Sequence, residues 1–208
     1  DVNATVDDNI ISDSMVSYEP VSYNYYSDSG VIAAPASHTV SSSNYGTYFD
    51  ENGTLKSSSV NSGDTMSLDG TFSDKKFILN KPLNVVGTST NKMQDCTVVL
   101  LKESSGSSVS NLNIANKGTD IQGIFLNEAT KCNIFNNKIN NSGPSSFPIA
   151  LNPGSSYNNI TNNVLATYGA TYGHGSRSTS LIVLGGAHYN YIADNYLYTD
   201  DANGIYLS

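Results

Sequence analysis

Tryptophan is missing from this chain, arginine occurs once, at Arg177, and cysteine only at Cys96 and Cys132. Charge is sparse: 13% of the 208 residues are Asp, Glu, Lys or Arg, with a formal net charge of −8 at pH 7. An acidic chain with a pI near 4.6 and no basic patch repels polyanions, which argues against nucleic acid as a ligand. No apolar run approaches the roughly 18 residues needed to cross a bilayer. The chain starts at Asp1 rather than Met, as expected of a processed or excised piece. No His, Cys and carboxylate cluster has zinc-site spacing, and neither a glycine-rich phosphate loop nor a nucleophile elbow is present. No metal, cofactor or catalytic residue is therefore expected.

What the chain does contain is repetition. Ile134-Phe-Asn-Asn-Lys-Ile139 returns as Ile160-Thr-Asn-Asn-Val-Leu165 and Ile192-Ala-Asp-Asn-Tyr-Leu197. A second phrase, Ile124-Phe-Leu126, returns as Ile149-Ala-Leu151, Ile182-Val-Leu184 and Ile205-Tyr-Leu207. The first advances by 160 − 134 = 26 and then 192 − 160 = 32 residues, with a weaker copy, Val109 to Ile114, 134 − 109 = 25 residues upstream. Periods of this size mark a repeat architecture. The apolar blocks are too short for helices, alternate with period 2, and are bounded by Asn, Gly, Ser and Pro, so they read as strands. Stacking each strand on its counterpart one turn later makes a parallel β-helix.

The interior rows predicted by this register are Val109/Ile134/Ile160/Ile192, Ile114/Ile139/Leu165/Leu197, Ile124/Ile149/Ile182/Ile205 and Leu126/Leu151/Leu184/Leu207. Asn137, Asn163 and Asn195 fall in one column, which predicts a ladder of amides at a left-handed bend, begun one turn after Leu112. Fainter copies at Leu83-Asn-Val-Val86 and Val98-Val-Leu100 extend the coil to about five turns. The expected organisation is an extended, Tyr-, Ser- and Asp-rich arm over 1–40, a cap over 41–63 and the coil over 64–208, all one solenoid. The composition of the arm, with Tyr18, Tyr23, Tyr25 and Tyr26 among few aliphatics, is that of a segment ordered by binding something. The final strand, Ile205, Tyr206 and Leu207, is an apolar assembly edge suited to end-to-end stacking with another copy or to addition of the arm.

The 32-residue interval contains a tandem copy, Ala166-Thr-Tyr-Gly169 and Ala170-Thr-Tyr-Gly173, followed by His174 and Arg177. An insertion in a solenoid leaves as a loop, so Tyr168, Tyr172, His174 and Arg177 are the candidate binding residues for a sugar or a protein partner. His38 and His188 read as surface residues, and Cys96 and Cys132 as semi-buried thiols in different columns, which argues against a disulfide. Sequons at Asn3, Asn52, Asn140 and Asn159 permit glycosylation of a secreted protein. The repeat resembles, at the level of fold, the right-handed parallel β-helix of pectate lyases and polygalacturonases. Those enzymes need clustered acidic residues with a Lys or Arg base, or neighbouring Asp residues, whereas the adjacent acidic pairs here, Asp7-Asp8, Asp50-Glu51 and Asp200-Asp201, lie off the strand faces.

Tyr48-Phe-Asp-Glu-Asn-Gly-Thr-Leu55, then Ser62-Gly-Asp-Thr-Met-Ser-Leu-Asp-Gly-Thr-Phe72, then Asn80-Lys-Pro-Leu-Asn-Val-Val-Gly87, leading into Asn-Asn-x-Ile repeats, resembles the opening of the adhesin-like surface proteins of methanogenic archaea. The similarity covers roughly residues 45–208. It implies an all-β, right-handed parallel β-helix and a non-catalytic adhesin or envelope structural protein, secreted to the cell surface. Its expected partners are surface glycans or proteins, or other copies of itself. The alternatives are a polysaccharide lyase or hydrolase on the same fold, and a filament or sheath subunit formed by end-to-end stacking.

Overall fold

A computed structural model describes residues 34–168, 179–183, 185–200 and 203–207. These form a parallel β-solenoid of about five turns. Each turn contributes one short strand to each of three sheets, which the chain visits in fixed order, and the sheets hold seven, six and six strands. Sheet 1 runs from Ser37–Val40 through Thr65–Leu68, Asn84–Gly87, Ser108–Ser110, Asn133–Phe135 and Asn159–Thr161 to Tyr191–Ala193. Sheet 2 runs from Thr71–Ser73 to Tyr196–Thr199 and sheet 3 from Lys76–Leu79 to Asn203–Leu207, again with parallel neighbours. No helix among the described residues is long and apolar enough to cross a membrane.

The rows predicted for sheets 1 and 2 hold: Ile134 pairs Val109 and Ile160, Ile160 pairs Ile192, and Ile139 pairs Ile114 and Leu165. In sheet 3 the register differs by one residue. Ile149 faces Leu181, and Leu151 faces Val183, so Leu181 rather than Ile182 enters the core row and Val183 rather than Leu184 aligns with Leu207. Residues 181–184 are a continuous aliphatic run in which either alternate set could face inward, and the connection before them sets the choice. Upstream, Val85, not Leu83, stands below Val109.

Three buried polar columns brace the aliphatic rows. At the corner between sheets 1 and 2, Asn163 Oδ1 accepts the Asn137 backbone N–H and Nδ2, each at 3.0 Å, while Asn163 N–H and Nδ2 donate to Asn195 Oδ1 at 2.9 Å. Leu112 heads this column, its N–H donating to Asn137 Oδ1. The left-handed residues are one position earlier than predicted, at Asn136, Asn162 and Asp194, with φ of 56, 55 and 56°. These exposed residues make the bend and so turn the next side chain inward. A second column, at the corner between sheets 3 and 1, joins Cys132, Asn158 and Asn190. The Cys132 N–H donates to Asn158 Oδ1 and the Asn158 amide donates to Asn190 Oδ1. In the third, Asn116 holds both the N–H and the carbonyl of Cys96. The amides of all three columns stand where a bare backbone group would otherwise lack a partner inside the coil.

The corners differ in tolerance. The one between sheets 1 and 2 is a two-residue bend at 69–70, 111–112, 136–137, 162–163 and 194–195, lengthened to four residues only at 88–91. The one between sheets 2 and 3 spans 95–96 in one turn, 117–121 and 142–146 in the next two, and 168–178 in a fourth, yet the Asn ladder at the other end of sheet 2 keeps the same bond lengths.

The cap covers the open first turn. A short helix, Tyr45–Tyr48, and an antiparallel bridge between Phe49 and Leu55 lay Gly53 to Leu55 along the first strand of sheet 3. Tyr45, Phe49 and Phe72 surround Phe77 with ring centroids 5.2 to 5.4 Å away. Of the expected arm, residues 1–33 lie outside the described residues, and Ser37–Val40 is the first strand of sheet 1, paired with Thr65–Leu68. His38 is not a surface residue. Its Nε2 lies 2.8 Å from the buried Asp64 carboxylate, which also accepts the N–H groups of Ala36 and Asn61. Burial alone would raise the Asp64 pKa, but the hydrogen bonds from Asn61, His38 and Ala36 together outweigh it and lower the pKa. A depressed folded-state pKa stabilises above the unfolded value, about 4, and that contribution vanishes as pH falls through the lower folded value. Acidification below about pH 4 is therefore expected to release Ser37–Val40, read as faster amide exchange in that strand than in Asn159–Thr161. In Asp64→Asn the strand's exchange should already be fast at pH 7 and respond little to acid. A strand equally protected at pH 3 and pH 7 in the parent would refute the clamp.

Candidate functional site: the aromatic end of the solenoid

The alternation that sends Ile160, Leu165, Ile192 and Leu197 inward sends their neighbours outward. Along most of sheets 1 and 2 these outward positions are polar, with Asn84, Ser108, Asn133 and Asn159 in one column and Lys92, Asn113 and Lys138 in another. From Val164 onward the same positions become aromatic or apolar. Tyr191 stands above Asn159, Tyr196 above Val164 and Tyr198 above Ala166. Every exposed large apolar or aromatic side chain among the described residues lies from Tyr157 onward: Tyr157, Val164, Tyr168, Tyr189, Tyr191, Tyr196, Tyr198 and Leu207.

Two groups result. On sheet 2, Tyr196 is 66% exposed, and Tyr168 leans on Tyr198 with centroids 5.1 Å apart. At the corner entering sheet 1, Tyr157 and Tyr189 lie nearly parallel, 13° apart with centroids at 5.0 Å, and His188 meets Tyr189 edge-on. Both corner tyrosines have left-handed backbones, φ 61 and 56°, the conformation that Lys131 adopts one turn earlier. Successive stacked bends thus pile side chains from successive turns on one another, and Tyr191 continues the group onto the face of sheet 1.

Of the residues predicted to bind, Tyr168 belongs to the sheet 2 group, whereas Tyr172, His174 and Arg177 lie outside the described residues. Ile205 is half-buried, packed against the core, and Leu207 is exposed on the last strand of sheet 3, which pairs with Thr179–Val183. Tyr206 is half-buried there. Among the sequons, Asn52 and Asn140 are exposed, Asn159 is half-buried with its Nδ2 donating to Asn133 Oδ1, and Asn3 lies outside the described residues. The sequence reading missed Tyr189, Tyr191, Tyr196 and Tyr198. The signal was the alternation itself, which places each of the last three beside an inward aliphatic residue.

The remaining chemistry is quiet. Cys96 and Cys132 are free and fully buried rather than semi-buried, and burial pushes both thiols up to about 11, far from the thiolate range. No group of three or more His, Cys, Asp or Glu is gathered as metal ligands among the described residues. A cleft where the cap meets the first turn is lined by Asp50, Glu51 and Asp74 together with Lys56, Lys75 and Lys76, and Lys75 Nζ sits 5.2 Å from the Tyr45 ring centre. Comparison with family models, with curated proteins and with solved structures found no match for this chain.

Proposed function

We propose that this chain is a non-catalytic surface protein, an adhesin or envelope structural unit like the adhesin-like proteins of methanogenic archaea. In this reading the solenoid is a rigid post, secreted to the cell surface, whose aromatic end makes contact with a target. The observation that carries it is the confinement, among the described residues, of exposed large apolar and aromatic side chains to the last two turns, while equivalent positions below hold mostly Asn, Ser, Thr and Lys, apart from the small Ala115 and the half-buried Val86 and Phe135. Scattered single exposed apolar residues are ordinary, but tyrosines gathered on one end of an otherwise polar rod fit a recognition surface, since tyrosine combines a large apolar face with a hydrogen-bonding tip. Tyr191, Tyr196 and Tyr198 are fixed on strands and Tyr157 and Tyr189 are held by mutual stacking at the corner, so those rings lose little entropy when they bind.

Beads coated with the protein should adhere to cells from its native community, and Tyr189→Ser/Tyr191→Ser/Tyr196→Ser should reduce adhesion severalfold with the fold intact by circular dichroism. Equal adhesion by parent and variant beads, or none by either, would end this reading. Cleavage of a polysaccharide by the purified protein would replace it with the lyase or hydrolase alternative.

A further inference from the structure

We infer that the sheet 1 side of the aromatic end binds an uncharged polysaccharide, laid along the solenoid axis over Tyr157, Tyr189 and Tyr191 and onto the amides below them. This rests on the reading of that end as the contact surface and names its ligand class.

Charge comes first. The chain carries a net charge of −8, yet no outward position on sheet 1, from Ser37 to Ala193, is charged at neutral pH. Its flanks hold charges of both signs: Lys131 and Glu128, the latter 3.8 Å from Lys102, at the corner entering the sheet, and Asp69, Asp194 and Lys138 at the far corner. An anionic polymer would find no row of cations here, and a charged protein surface would strand its ions on a neutral face, which is unfavourable.

Hydrogen-bonding capacity comes second. Asn159 Nδ2 donates to Asn133 Oδ1 at 3.0 Å, leaving Asn133 Nδ2 as a donor and Asn159 Oδ1 as an acceptor without partners among the described residues. Both side chains are half-buried and fixed in register on paired strands. An amide that offers a donor on one rung and an acceptor on the next matches sugar hydroxyls, which both donate and accept.

Spacing comes third. Rungs recur about every 4.8 Å along the sheet, so a ligand built of repeating units meets a repeated set of groups as it runs along the axis. Tyr157 and Tyr189 stack on one another and keep one outer face each, and with Tyr191 51% exposed beside them they supply apolar surface at the end of that row. A sugar ring has the matching character, with apolar C–H faces and a polar rim, so one neutral chain can stack on the tyrosines and hydrogen bond to the amides.

Affinity electrophoresis tests this with the full chain, using gels that contain galactomannan, mixed-linkage β-glucan, xylan or, as the acidic probe, polygalacturonate. The expected result is retardation by at least one neutral polymer and none by polygalacturonate, unchanged between low and high salt because no ion pair contributes. Tyr189→Ala and Tyr191→Ala should each weaken it about tenfold. Retardation by polygalacturonate alone, salt-sensitive binding, equal retardation of the variants, or no retardation in any gel would overturn the inference. Exposed tyrosines tolerate truncation, and circular dichroism of each variant separates lost binding from lost fold. Periodate oxidation of target cells distinguishes this inference from the reading it rests on. Beads that still adhere to oxidised cells remove the polysaccharide but leave adhesion standing, whereas beads that never adhere remove both.

Discussion

Asn163→Ala is expected to lower the unfolding free energy by about 3 kcal/mol, although it deletes only a small polar group. The Asn163 side chain satisfies its neighbours on both sides. Its Oδ1 receives two N–H groups of Asn137, and its Nδ2 donates to the carbonyl of Ile134 at 2.9 Å and to Asn195 Oδ1. Truncation leaves these groups in the dry interior, each without one of its partners, and the penalty for an unpaired buried polar group exceeds the net worth of the bond it loses. Asn140→Ala, on an outward position one turn earlier, should stay within about 0.5 kcal/mol of the parent. Urea unfolding followed by tyrosine fluorescence, undisturbed by tryptophan, measures both. Superimposable curves for Asn163→Ala and parent would reduce the ladder to a by-product of register.

Phe77→Ala should be costlier, about 4 kcal/mol, through the cavity left among Tyr45, Phe49 and Phe72. Phe77 is 1% exposed and sits on the strand that the cap covers, where the Leu55 N–H donates to the Ile78 carbonyl and the Ile78 N–H to the Gly53 carbonyl. Because each turn touches only its neighbours, the damage should be uneven. Amide exchange should accelerate from the cap through Thr65–Leu68 while Asn159–Thr161 stays protected. Uniform acceleration in every turn would show instead that the coil opens as one unit.

How much of this was legible in the sequence depended on the corner preceding each strand. Ile134, Ile160 and Ile192 were placed correctly because the strands of sheet 1 lead into a two-residue bend that fixes spacing on both sides. Ile182 and Leu184 were placed one residue off because their strand follows the most variable corner and lies in an unbroken aliphatic run. His38 was misread because its partner Asp64 lies 26 residues away, and nothing local to His38 reveals it. The ladder at Asn137, Asn163 and Asn195 was visible as a repeated letter, but that at Cys132, Asn158 and Asn190 was disguised by a cysteine, whose N–H serves as well as that of an asparagine. The candidate surface hid in plain alternation: Tyr191 and Tyr196 flank the very aliphatic residues that identified the repeat.

The corner between sheets 2 and 3 has a further consequence. It ranges from 95–96 to 168–178 while the buried amides at the other end of sheet 2 keep bonds of 2.9 to 3.0 Å, so length there is uncoupled from the rest of the coil. Evolution can therefore rewrite that segment in one winding without renegotiating the others, and an engineer can graft foreign peptides there, one per storey, on a scaffold indifferent to their content.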